Sequence, residues 1–294
     1  MNIFCEKLGE VSDFYFGFSA GVEYIVCVAP YKRTMPLGGD FAYIDGYYEV
    51  SNSQYHKAKD FIAFCNKNGC GVEIEREKSY KDFLFENGFF QRGKNTLLQD
   101  SVFGSKIYFT VLKVVSMPKS REERLEFVKF LQILKSKQSR FKSNGDTCKD
   151  CNICISACPQ KALPLSLQTC LRQHMQNGEI REEFSLSLGS RVLGCEICSE
   201  VCPKNKGVEI SCENQFELTN LLALVEKKNP SLCEKYGKNI IAKNKLVPYI
   251  INAMGNTRKE KYSEILEKYS NSQSEKIAFS ARLALSKIKG ELHE

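Results

Sequence analysis

The sequence predicts an α+β protein with three parts: a mixed N-terminal region, a ferredoxin-like two-cluster domain and a HEAT-like helical tail. Three observations lead to this fold class. Short β-rich apolar runs alternate with amphipathic segments in the first ~115 residues. Eight cysteines crowd between Cys148 and Cys202, and after Cys212 the pattern becomes helical throughout. The expected domains are 1–117, a linking helix over 118–147, the cluster domain over 148–212 and the helical region over 213–294.

The N-terminal region contains segments of both periodicities. Apolar, β-branched runs predict strands, whereas apolar residues that recur every three or four positions predict helices. Asn68-Gly69 and Asn87-Gly88 are typical helix ends. The predicted strands are Glu23–Pro30, Val72–Glu75 and Lys106–Val115, and the predicted helices are Ser53–Asn66, Tyr80–Glu86 and Glu122–Lys137.

The tail is predicted to be a series of helices separated by Gly255-Asn256 and Ser270-Asn271. The segments LVPYIINAMGN and EKIAFSARLALSKI have the pattern of one HEAT-type repeat. A single repeat cannot bury its own apolar face, so it must dock on the rest of the chain. The alternative is a generic helical cap. The predicted helices are Phe216–Glu226, Leu246–Met254, Lys259–Tyr269 and Ser274–Lys289.

Composition and charge set limits on the class of protein. The chain has 294 residues, with 42 Lys and Arg against 35 Asp and Glu, for a net charge of +7. This mild excess fits either a solvated, lysine-rich surface or a phosphate-backbone partner such as RNA. There is no apolar run of about 18 residues and no secretory signal pattern at the N-terminus, so we expect a cytoplasmic protein without a membrane span.

Fourteen cysteines are a high number for a chain that is expected to occupy a reducing compartment. Disulfides are disfavoured there, so clustered cysteines indicate metal binding or catalysis. Six cysteines are scattered, and we expect each of them to be a small buried hydrophobic residue. The scattered cysteines are Cys5, Cys27, Cys65, Cys70, Cys212 and Cys233.

The other eight cysteines form two motifs and one isolated position. The first motif, over 148–159, reads C-x2-C-x2-C-x3-C-P, which is the bacterial ferredoxin run. Two intervening residues let the chain curl around an iron–sulfur cube, and the x3 step begins a helix that carries the last thiolate away. The second motif, CEICSEVCP, covers residues 195–203, and Cys170 stands alone between the two.

Eight cysteines make two sets of four, which predicts two 4Fe–4S clusters. In two-cluster ferredoxins the last cysteine of the run serves the other cluster. By this rule the first cluster takes Cys148, Cys151, Cys154 and Cys202, and the second takes Cys158, Cys170, Cys195 and Cys198. The alternative is a pair of zinc sites, since zinc also binds four thiolates. Zinc rarely uses this run, so the clusters are favoured.

With these parts in order, the chain resembles the epoxyqueuosine reductases, cobalamin- and iron–sulfur-dependent enzymes that complete queuosine in transfer RNA. The cysteine order agrees with that family, including isolated Cys170, and so does the phrase LGSRVLGCEICSEVCP over 188–203. The helical tail matches the family's C-terminal repeat. Glu23–Tyr31 looks like its first core strand, and the chain looks like a divergent and shortened member.

The resemblance implies that region 1–117 is a cobalamin-binding-like α/β domain. Tyr55-His56 looks like the family's Tyr-His pair, and Gly88 followed by Gly93, Lys94, Asn95 and Thr96 looks like its glycine-rich segment. These residues are therefore the candidate cobalamin contacts. The alternatives are a surface or core histidine on an amphipathic helix and an ordinary turn at Gly93.

The family carries an Asp before a small-residue–Pro motif as its proton donor. Counting back from Gly88 puts Ile74 at that place, and Lys204 stands where the family generally has Trp. Glu73 or Glu75 could supply the carboxylate if the register shifts by one residue. The alternative is that both are solvated charges at a strand end.

The resulting hypothesis is an epoxyqueuosine reductase-like oxidoreductase. An external low-potential donor would pass electrons through the two clusters to cobalamin, and the epoxide on the tRNA base would be reduced while a protein acid protonates the oxygen. We expect a monomer that binds tRNA. Two alternatives remain: a ferredoxin-like electron carrier without cobalamin, and a cobalamin-dependent reductase of another substrate, as in the related reductive dehalogenases.

Overall fold

The computed structural model describes residues 2–10, 14–19, 23–77, 79–137, 148–164, 166 and 168–291. The linking segment predicted over 118–147 is therefore described only as far as Lys137. Within the described residues, no helix combines the length and the apolar character needed to cross a membrane. The helices are α1 (Ile3–Gly9), α2 (Gly46–Lys67), α3 (Tyr80–Glu86), α4 (Arg121–Lys137), α5 (Ile153–Ala157), α6 (Leu171–His174), α7 (Glu182–Ser185), α8 (Ile197–Glu200), α9 (Leu218–Glu226), α10 (Pro230–Tyr236), α11 (Lys243–Asn256), α12 (Ser263–Ser270) and α13 (Glu275–Ile288).

The strands are mostly short and lie between these helices. The strands are β1 (Phe14–Ser19), β2 (Glu23–Pro30), β3 (Arg33–Thr34), β4 (Phe41–Ile44), β5 (Gly71–Ile74), β6 (Gln91–Arg92), β7 (Leu98–Gln99), β8 (Ile107–Ser116), β9 (Arg191–Leu193), β10 (Ile210–Ser211) and β11 (Gln215–Glu217). Mixed α+β architecture is thus confirmed as the fold class.

The chain divides into two compact units that do not follow a single cut in the sequence. The first unit comprises Met1–Tyr31, Val50–Cys151 and Lys204–Gly207, and the second comprises Lys32–Glu49, Asn152–Pro203 and Val208–Glu294. The division into four domains at 117, 147 and 212 stays a prediction. Each unit is described separately below.

The first unit is built on an antiparallel sheet with the strand order β1-β2-β8-β5. Both faces of its central strands are buried. Ile25 and Cys27 of β2 pack into one apolar cluster, whereas Val26 and Val28 pack into another. Side chains alternate between the faces of a strand, so a strand covered on both sides must be apolar at every position. This explains why EYIVCVAP is a continuous apolar run.

Helices cover the two faces of this sheet. On one face, α1, α2 and α4 contribute aromatic side chains, among them Phe4, Phe61 and Phe127. The Phe4 and Phe127 rings meet edge to face with their centroids 5.0 Å apart. On the other face, Phe83 of α3 packs with Phe109 of β8 in a second cluster. The unit therefore has two apolar layers around one sheet.

The second unit has one large apolar core that includes both the cysteine-rich segment and the tail. Strand β4 lies between antiparallel β11 and parallel β9. Leu171 of α6 and Phe184 of α7 share the core with Ile250 of α11 and Ala281 of α13. The apolar faces of the tail helices are therefore buried against the segment that carries Cys170. This is the docking that a lone helical pair requires.

Four predicted helices have wrong boundaries. Helix α11 begins at Lys243, before Leu246, and includes Gly255-Asn256, which was predicted to separate helices. The other three differ for a local reason. Helix α2 begins at Gly46, well before Ser53, and Asp45 Oδ1 accepts the Tyr47 N–H at 3.0 Å. Phe216 lies in β11, paired with Ala42, and Glu217 is the N-cap of α9 through its bond to the Asn220 N–H. The segment predicted as a helix over Lys259–Tyr269 instead starts with a 3₁₀ turn, Glu260–Tyr262, followed by α12.

The predictions for the scattered cysteines need one correction. Cys27, Cys65 and Cys70 are buried in the first unit as expected, and burial raises the pKa of each thiol. Cys5 and Cys233 are half-buried. Cys212, however, is exposed, because it lies in the loop between β10 and β11. It is a surface thiol and not a core residue.

Candidate metal centre

The C-x2-C-x3-C-P parts of the two cysteine motifs fold in the same way, and the helical turn of each lies in the second unit. In the first, the N–H groups of Ile155 and Ser156 both donate to the Asn152 carbonyl, each at 3.0 Å. In the second, the N–H groups of Ser199 and Glu200 donate to the Glu196 carbonyl at 2.9 and 2.7 Å. Helices α5 and α8 are the resulting single turns, and they pack against each other. Identical spacing thus produces identical local structure.

This fold places the cysteines of each motif at equivalent positions. Cys154 and Cys198 lie inside the helical turns, and Cys158 and Cys202 follow their ends. The Cys158 N–H donates to the Ile155 carbonyl at 3.3 Å and the Cys202 N–H to the Ser199 carbonyl at 3.1 Å. A helical turn is therefore present at the x3 step, but it ends before the last cysteine, whereas the prediction had a helix begin at this step.

Isolated Cys170 lies at the start of its own short helix. It is the N-cap residue of α6, with φ −70° and ψ 118°, so its backbone is extended. Its N–H donates to the Ser166 carbonyl at 3.1 Å, and its carbonyl accepts from the His174 N–H at 2.9 Å. Leu171, the next residue, is buried in the core of the unit. The isolated cysteine is therefore held by regular structure on its C-terminal side.

The electrostatics of these thiols fit a metal cluster. Burial raises the pKa of Cys195 to about 11 and that of Cys198 to about 12, and the neighbouring thiols of Cys170 and Cys154 act on Cys198 in the same direction. Such thiols do not ionise by themselves near neutral pH, whereas metal coordination deprotonates a thiol outright. These two thiols would therefore bind as thiolates only with a positively charged group beside them.

The sulfur atoms also receive hydrogen bonds from the backbone. The Ala162 N–H donates to Cys158 Sγ at 3.3 Å, and the Ile197 N–H donates to the thiol of Cys195. All eight array cysteines are free of disulfides. Among the described residues, no three His, Cys, Asp or Glu side chains are placed to share one metal ion. In a 4Fe–4S cube each thiolate binds a different iron, so the cluster prediction does not require such a group.

Cys148 and Cys151 belong to the first unit, where they close a tight turn. The Cys151 N–H donates to the Cys148 carbonyl at 2.7 Å, and Lys149 inside the turn has a left-handed φ of 35°. Lys94 Nζ donates to the Lys149 carbonyl at 2.7 Å. The predicted cobalamin residue Lys94 therefore contacts the first cysteine turn.

The rest of the predicted glycine-rich segment forms a compact turn. The Thr96 N–H donates to the Gly93 carbonyl at 2.8 Å, and Thr96 has a left-handed φ of 64°. A Cβ on Gly93 would lie 2.3 Å from Gln99 Nε2 and 2.7 Å from Asn95 Oδ1. Asn95 is buried, and its Oδ1 accepts from the Leu97 N–H at 3.3 Å. The Thr96 N–H and Asn95 Oδ1 thus make hydrogen bonds within the turn itself.

Tyr55 and His56 lie on the exposed side of α2. The Tyr55 side chain is 39% exposed, its ring centroid lies 5.5 Å from that of His56, and Lys59 Nζ lies 5.0 Å from the Tyr55 centroid. The role of this pair and of the turn over 93–96 as cobalamin contacts stays a prediction.

The candidate proton donors flank Ile74 at the end of β5. Ile74 faces Leu112 of β8 and packs on the apolar cluster, whereas Glu73 is exposed. The Glu75 carboxylate accepts from the Glu77 N–H at 2.7 Å. The alternation of β5 places Glu73 and Glu75 on the face opposite Ile74. Their role as acids stays a prediction.

Three charged residues beside the array were not singled out from the sequence. Arg172 lies between the carboxylates of Asp45 and Glu196 in the second unit. Glu196 sits inside the second motif and Arg172 follows Cys170 by two positions, so proximity to ligands could have signalled both. Asp45 has no such signal, because only the tertiary fold brings it to the array.

Comparison with known proteins supports the cluster assignment. The family of the 4Fe-4S double cluster binding domain matches residues 147–205. The epoxyqueuosine reductase of Lactococcus garvieae is 33% identical over 123 residues, which cover 37% of this chain and 35% of that protein. The enzyme of Bacillus anthracis is 29% identical over 159 residues, covering 49% of this chain and 36% of that protein. The matches thus span about a third of these relatives' length.

Solved structures extend the likeness to most of the fold. An epoxyqueuosine reductase from Streptococcus thermophilus superposes with a TM-score of 0.68 at 19% identity, over 92% of this chain and 75% of that one. An epoxyqueuosine reductase bound to a modified tRNA stem loop gives 0.65 at 20% identity, over 90% of this chain and 73% of that one. The resemblance to this family that the sequence predicts is confirmed.

Proposed function

We propose that this chain is an epoxyqueuosine reductase-like iron–sulfur oxidoreductase that acts on tRNA. The observation that carries the proposal is the cysteine array, which matches a double 4Fe-4S cluster domain over 147–205. Sequence identity to epoxyqueuosine reductases and a shared fold over most of the chain support it. The substrate would be epoxyqueuosine in tRNA, and the product queuosine.

For the clusters we propose the ligand partition set out above, with Cys148, Cys151, Cys154 and Cys202 on one cluster and Cys158, Cys170, Cys195 and Cys198 on the other. The Cys170 thiol acts on the pKa of both Cys195 and Cys198, which supports the close approach that a shared cluster requires. Cys154 also acts on Cys198, which fits two interlocked motifs in close contact. When bound, the clusters supply one-electron transfer at low potential.

The residues of the chain would have four tasks in this function. The single-turn helices α5 and α8 orient the thiols, and the backbone N–H groups of Ala162 and Ile197 stabilise charge on two of the sulfur atoms. One array cysteine is buried and the other seven are half-buried, so the fold would limit the access of water to the ligands. Lys-rich surfaces would hold the phosphate backbone of a tRNA stem, and the single-stranded anticodon would present its base.

The iron content tests the cluster proposal directly. Protein that has been purified or reconstituted without oxygen should contain about eight irons and eight acid-labile sulfides per chain, the content of two cubes. Cys170→Ala should lose one cluster, whereas Cys212→Ala should keep both, because Cys212 is an exposed thiol outside the array. Four irons or fewer in the fully reconstituted natural protein would contradict the two-cluster proposal.

Turnover tests the substrate. A tRNA anticodon stem loop that carries epoxyqueuosine should be converted to the queuosine form by the reduced protein, as measured by mass spectrometry of the nucleosides.

We also propose cobalamin as a cofactor, on the family resemblance alone. Titration followed by visible spectroscopy should show binding, and no binding at high micromolar cobalamin would favour the ferredoxin-like carrier.

For the proton donor we propose Glu75 or Glu73. Both lie at the end of β5, in the register next to Ile74. Glu75→Gln and Glu73→Gln should be compared for turnover at matched iron content. If neither substitution lowers the rate, a carboxylate at this strand end is not the acid. Arg76→Gln, which changes the exposed residue between Glu75 and Glu77, is the matched control.

A further inference from the structure

Arg172 lies between two carboxylates that are almost fully buried. Its Nη1 atom is 3.5 Å from Glu196 Oε1 and 3.8 Å from Asp45 Oδ2. Asp45 is 3% exposed and Glu196 is 8% exposed. The guanidinium also stacks over the Tyr47 ring, with its carbon 4.2 Å from the centroid. The Arg172 guanidinium thus stacks on an aromatic ring and lies next to carboxylates that are shielded from water. These ion pairs are therefore partly desolvated.

The three charged residues come from three segments that meet at the array. Arg172 is two residues after Cys170, and Glu196 directly follows Cys195. Asp45 joins the same place, since its N–H donates to the Leu193 carbonyl at 3.0 Å. Gly194, with φ 87°, lies against Asp45, and a Cβ there would be 2.6 Å from the Asp45 Cβ. The ion pairs therefore link α6 to the second motif.

The charges of Arg172, Asp45 and Glu196 change the energy of an electron on a neighbouring cluster. A 4Fe–4S cluster with four thiolates is an anion, and reduction adds one more negative charge. Nearby positive charge favours the reduced form and nearby carboxylates disfavour it, so both change the reduction potential. Arg172 is half-buried, and the two carboxylates are almost fully buried. Water therefore screens their interactions less than it would at an open surface. Arg172 is a cation that lies within 4 Å of both carboxylates.

We propose that Arg172 is a positioning residue for the cluster served by Cys170, Cys195 and Cys198: it holds the helix of the isolated cysteine to the second motif, and its charge raises that cluster's reduction potential. This rests on the ligand partition of the proposed function. An ordinary surface ion pair would contribute little to either property. Here, removal of Arg172 takes one positive charge away from two almost fully buried carboxylates beside the ligands.

The test is a redox titration followed by paramagnetic resonance, which resolves the midpoint potentials of two clusters in one protein. Arg172→Met should shift one potential in the negative direction and leave the other unchanged. Arg172→Lys, which keeps the charge, should shift it less. Glu196→Gln should shift the same potential in the positive direction. The double variant R172M/E196Q should return it toward the natural value.

Arg181→Met is the matched control. Arg181 lies in the same unit and pairs with Glu183 at 4.0 Å, but both side chains are more than half exposed. The variant loses the same charge and should shift neither potential. The midpoint reduction potential separates this proposal from a purely structural role. Loss of a structural role would lower the amount of intact cluster but would not change the midpoint potential of the clusters that remain.

Four outcomes bear on the proposal for Arg172. Unchanged potentials in both Arg172→Met and Glu196→Gln, at full iron content, overturn the proposal, and so do equal shifts of both clusters. If Arg172→Met fails to retain iron, Arg172→Lys and Glu196→Gln still decide the sign of the effect. If the natural protein itself holds about four irons, the two-cluster assignment fails, and the proposal for Arg172 falls with the ligand partition on which it rests.

Discussion

Gly104 and Asn205 meet inside the first unit. Asn205 lies three residues after Cys202 in the sequence. The Ser105 N–H donates to Asn205 Oδ1 at 2.7 Å, and Asn205 Nδ2 donates to Ser105 Oγ at 2.9 Å. Asn205 is fully buried. Gly104 has φ 56°, and a Cβ on it would lie 2.0 Å from Asn205 Oδ1. This position therefore requires glycine for both its backbone and its space.

Gly104→Ala should destabilise the protein more than Gly88→Ala does. Both glycines have a left-handed φ, which disfavours alanine by about 1–2 kcal/mol at either position. At Gly88, nothing lies within 4 Å of the added Cβ, whereas at Gly104 it meets the buried amide of Asn205. We expect an additional loss of about 1–3 kcal/mol for Gly104→Ala, measured by anaerobic urea unfolding. Equal losses for the two variants would show that the clash is relieved without loss of stability.

At the scale of elements, helices α11 and α13 approach closely because small residues face each other. A Cβ on Gly255 of α11 would lie 2.6 Å from both Cα and Cβ of Ala284 on α13. Small residues at a crossing let two helix backbones come close, which increases the contact between their apolar faces. The sequence pattern identified these two segments as partners, but not the residue at the crossing.

Gly255→Ala should therefore lower the free energy of unfolding, although alanine is the better helix former. The gain in helix propensity is about 1 kcal/mol. Overpacking against a helix backbone is typically unfavourable by about 1–3 kcal/mol, so we expect a net loss of up to about 2 kcal/mol. Gly9→Ala, at the last residue of α1 with no atom within 4 Å of the added Cβ, is the control and should be neutral or slightly stabilising. Thermal unfolding compares the two, and a gain for Gly255→Ala would refute the close approach.

At the scale of the whole molecule, a buried lysine connects the tail to the cysteine-rich segment within the second unit. Lys287 Nζ donates to Asn252 Oδ1 at 2.6 Å and to Asn256 Oδ1 at 2.8 Å. The amide groups of the two asparagines donate in turn to the Ser185 carbonyl, and that of Asn256 also donates to the Gly189 carbonyl, all at 2.9 Å. The network joins α13, α11 and the chain that leads to β9.

This lysine makes stability depend on pH. Burial, with a smaller contribution from Arg258, lowers the pKa of Lys287 from 10.5 to about 7. Between these values the unfolded chain binds a proton that the folded protein does not, so the free energy of unfolding rises with pH. Below about 7 both states are protonated and the dependence disappears.

Lys287→Met removes this titration. The natural protein should therefore gain stability relative to the variant as the pH rises from 7 to 9, and the difference should be constant from pH 5.5 to 6.5. Anaerobic unfolding of both proteins at each pH measures it, and the comparison cancels all other titrating groups. A difference that does not change between pH 7 and 9 would show that the buried ammonium keeps its proton.

The predictable part of the fold depends on local pattern. Strand β2 and helix α3 have the bounds predicted from the sequence, because their apolar patterns and turn residues lie within the segments themselves. Strands β4, β9 and β11 were not predicted. Each has only a few residues and exists through pairing with segments far away in the sequence. Exposed Cys212 was missed for the same reason, since exposure depends on what covers a residue.

The sequence by itself determined the cysteine motifs and the family resemblance. Spacing within a motif sets its single-turn helix, because the hydrogen bonds from Ile155 and Ser199 reach back only three residues. Only the tertiary structure decided what surrounds the ligands. Arg172 meets Asp45 and Glu196 through the packing of three segments, and Lys287 reaches Asn252 through the packing of two helices. Charges far apart in the sequence interact only after the core is formed, so no local pattern records them.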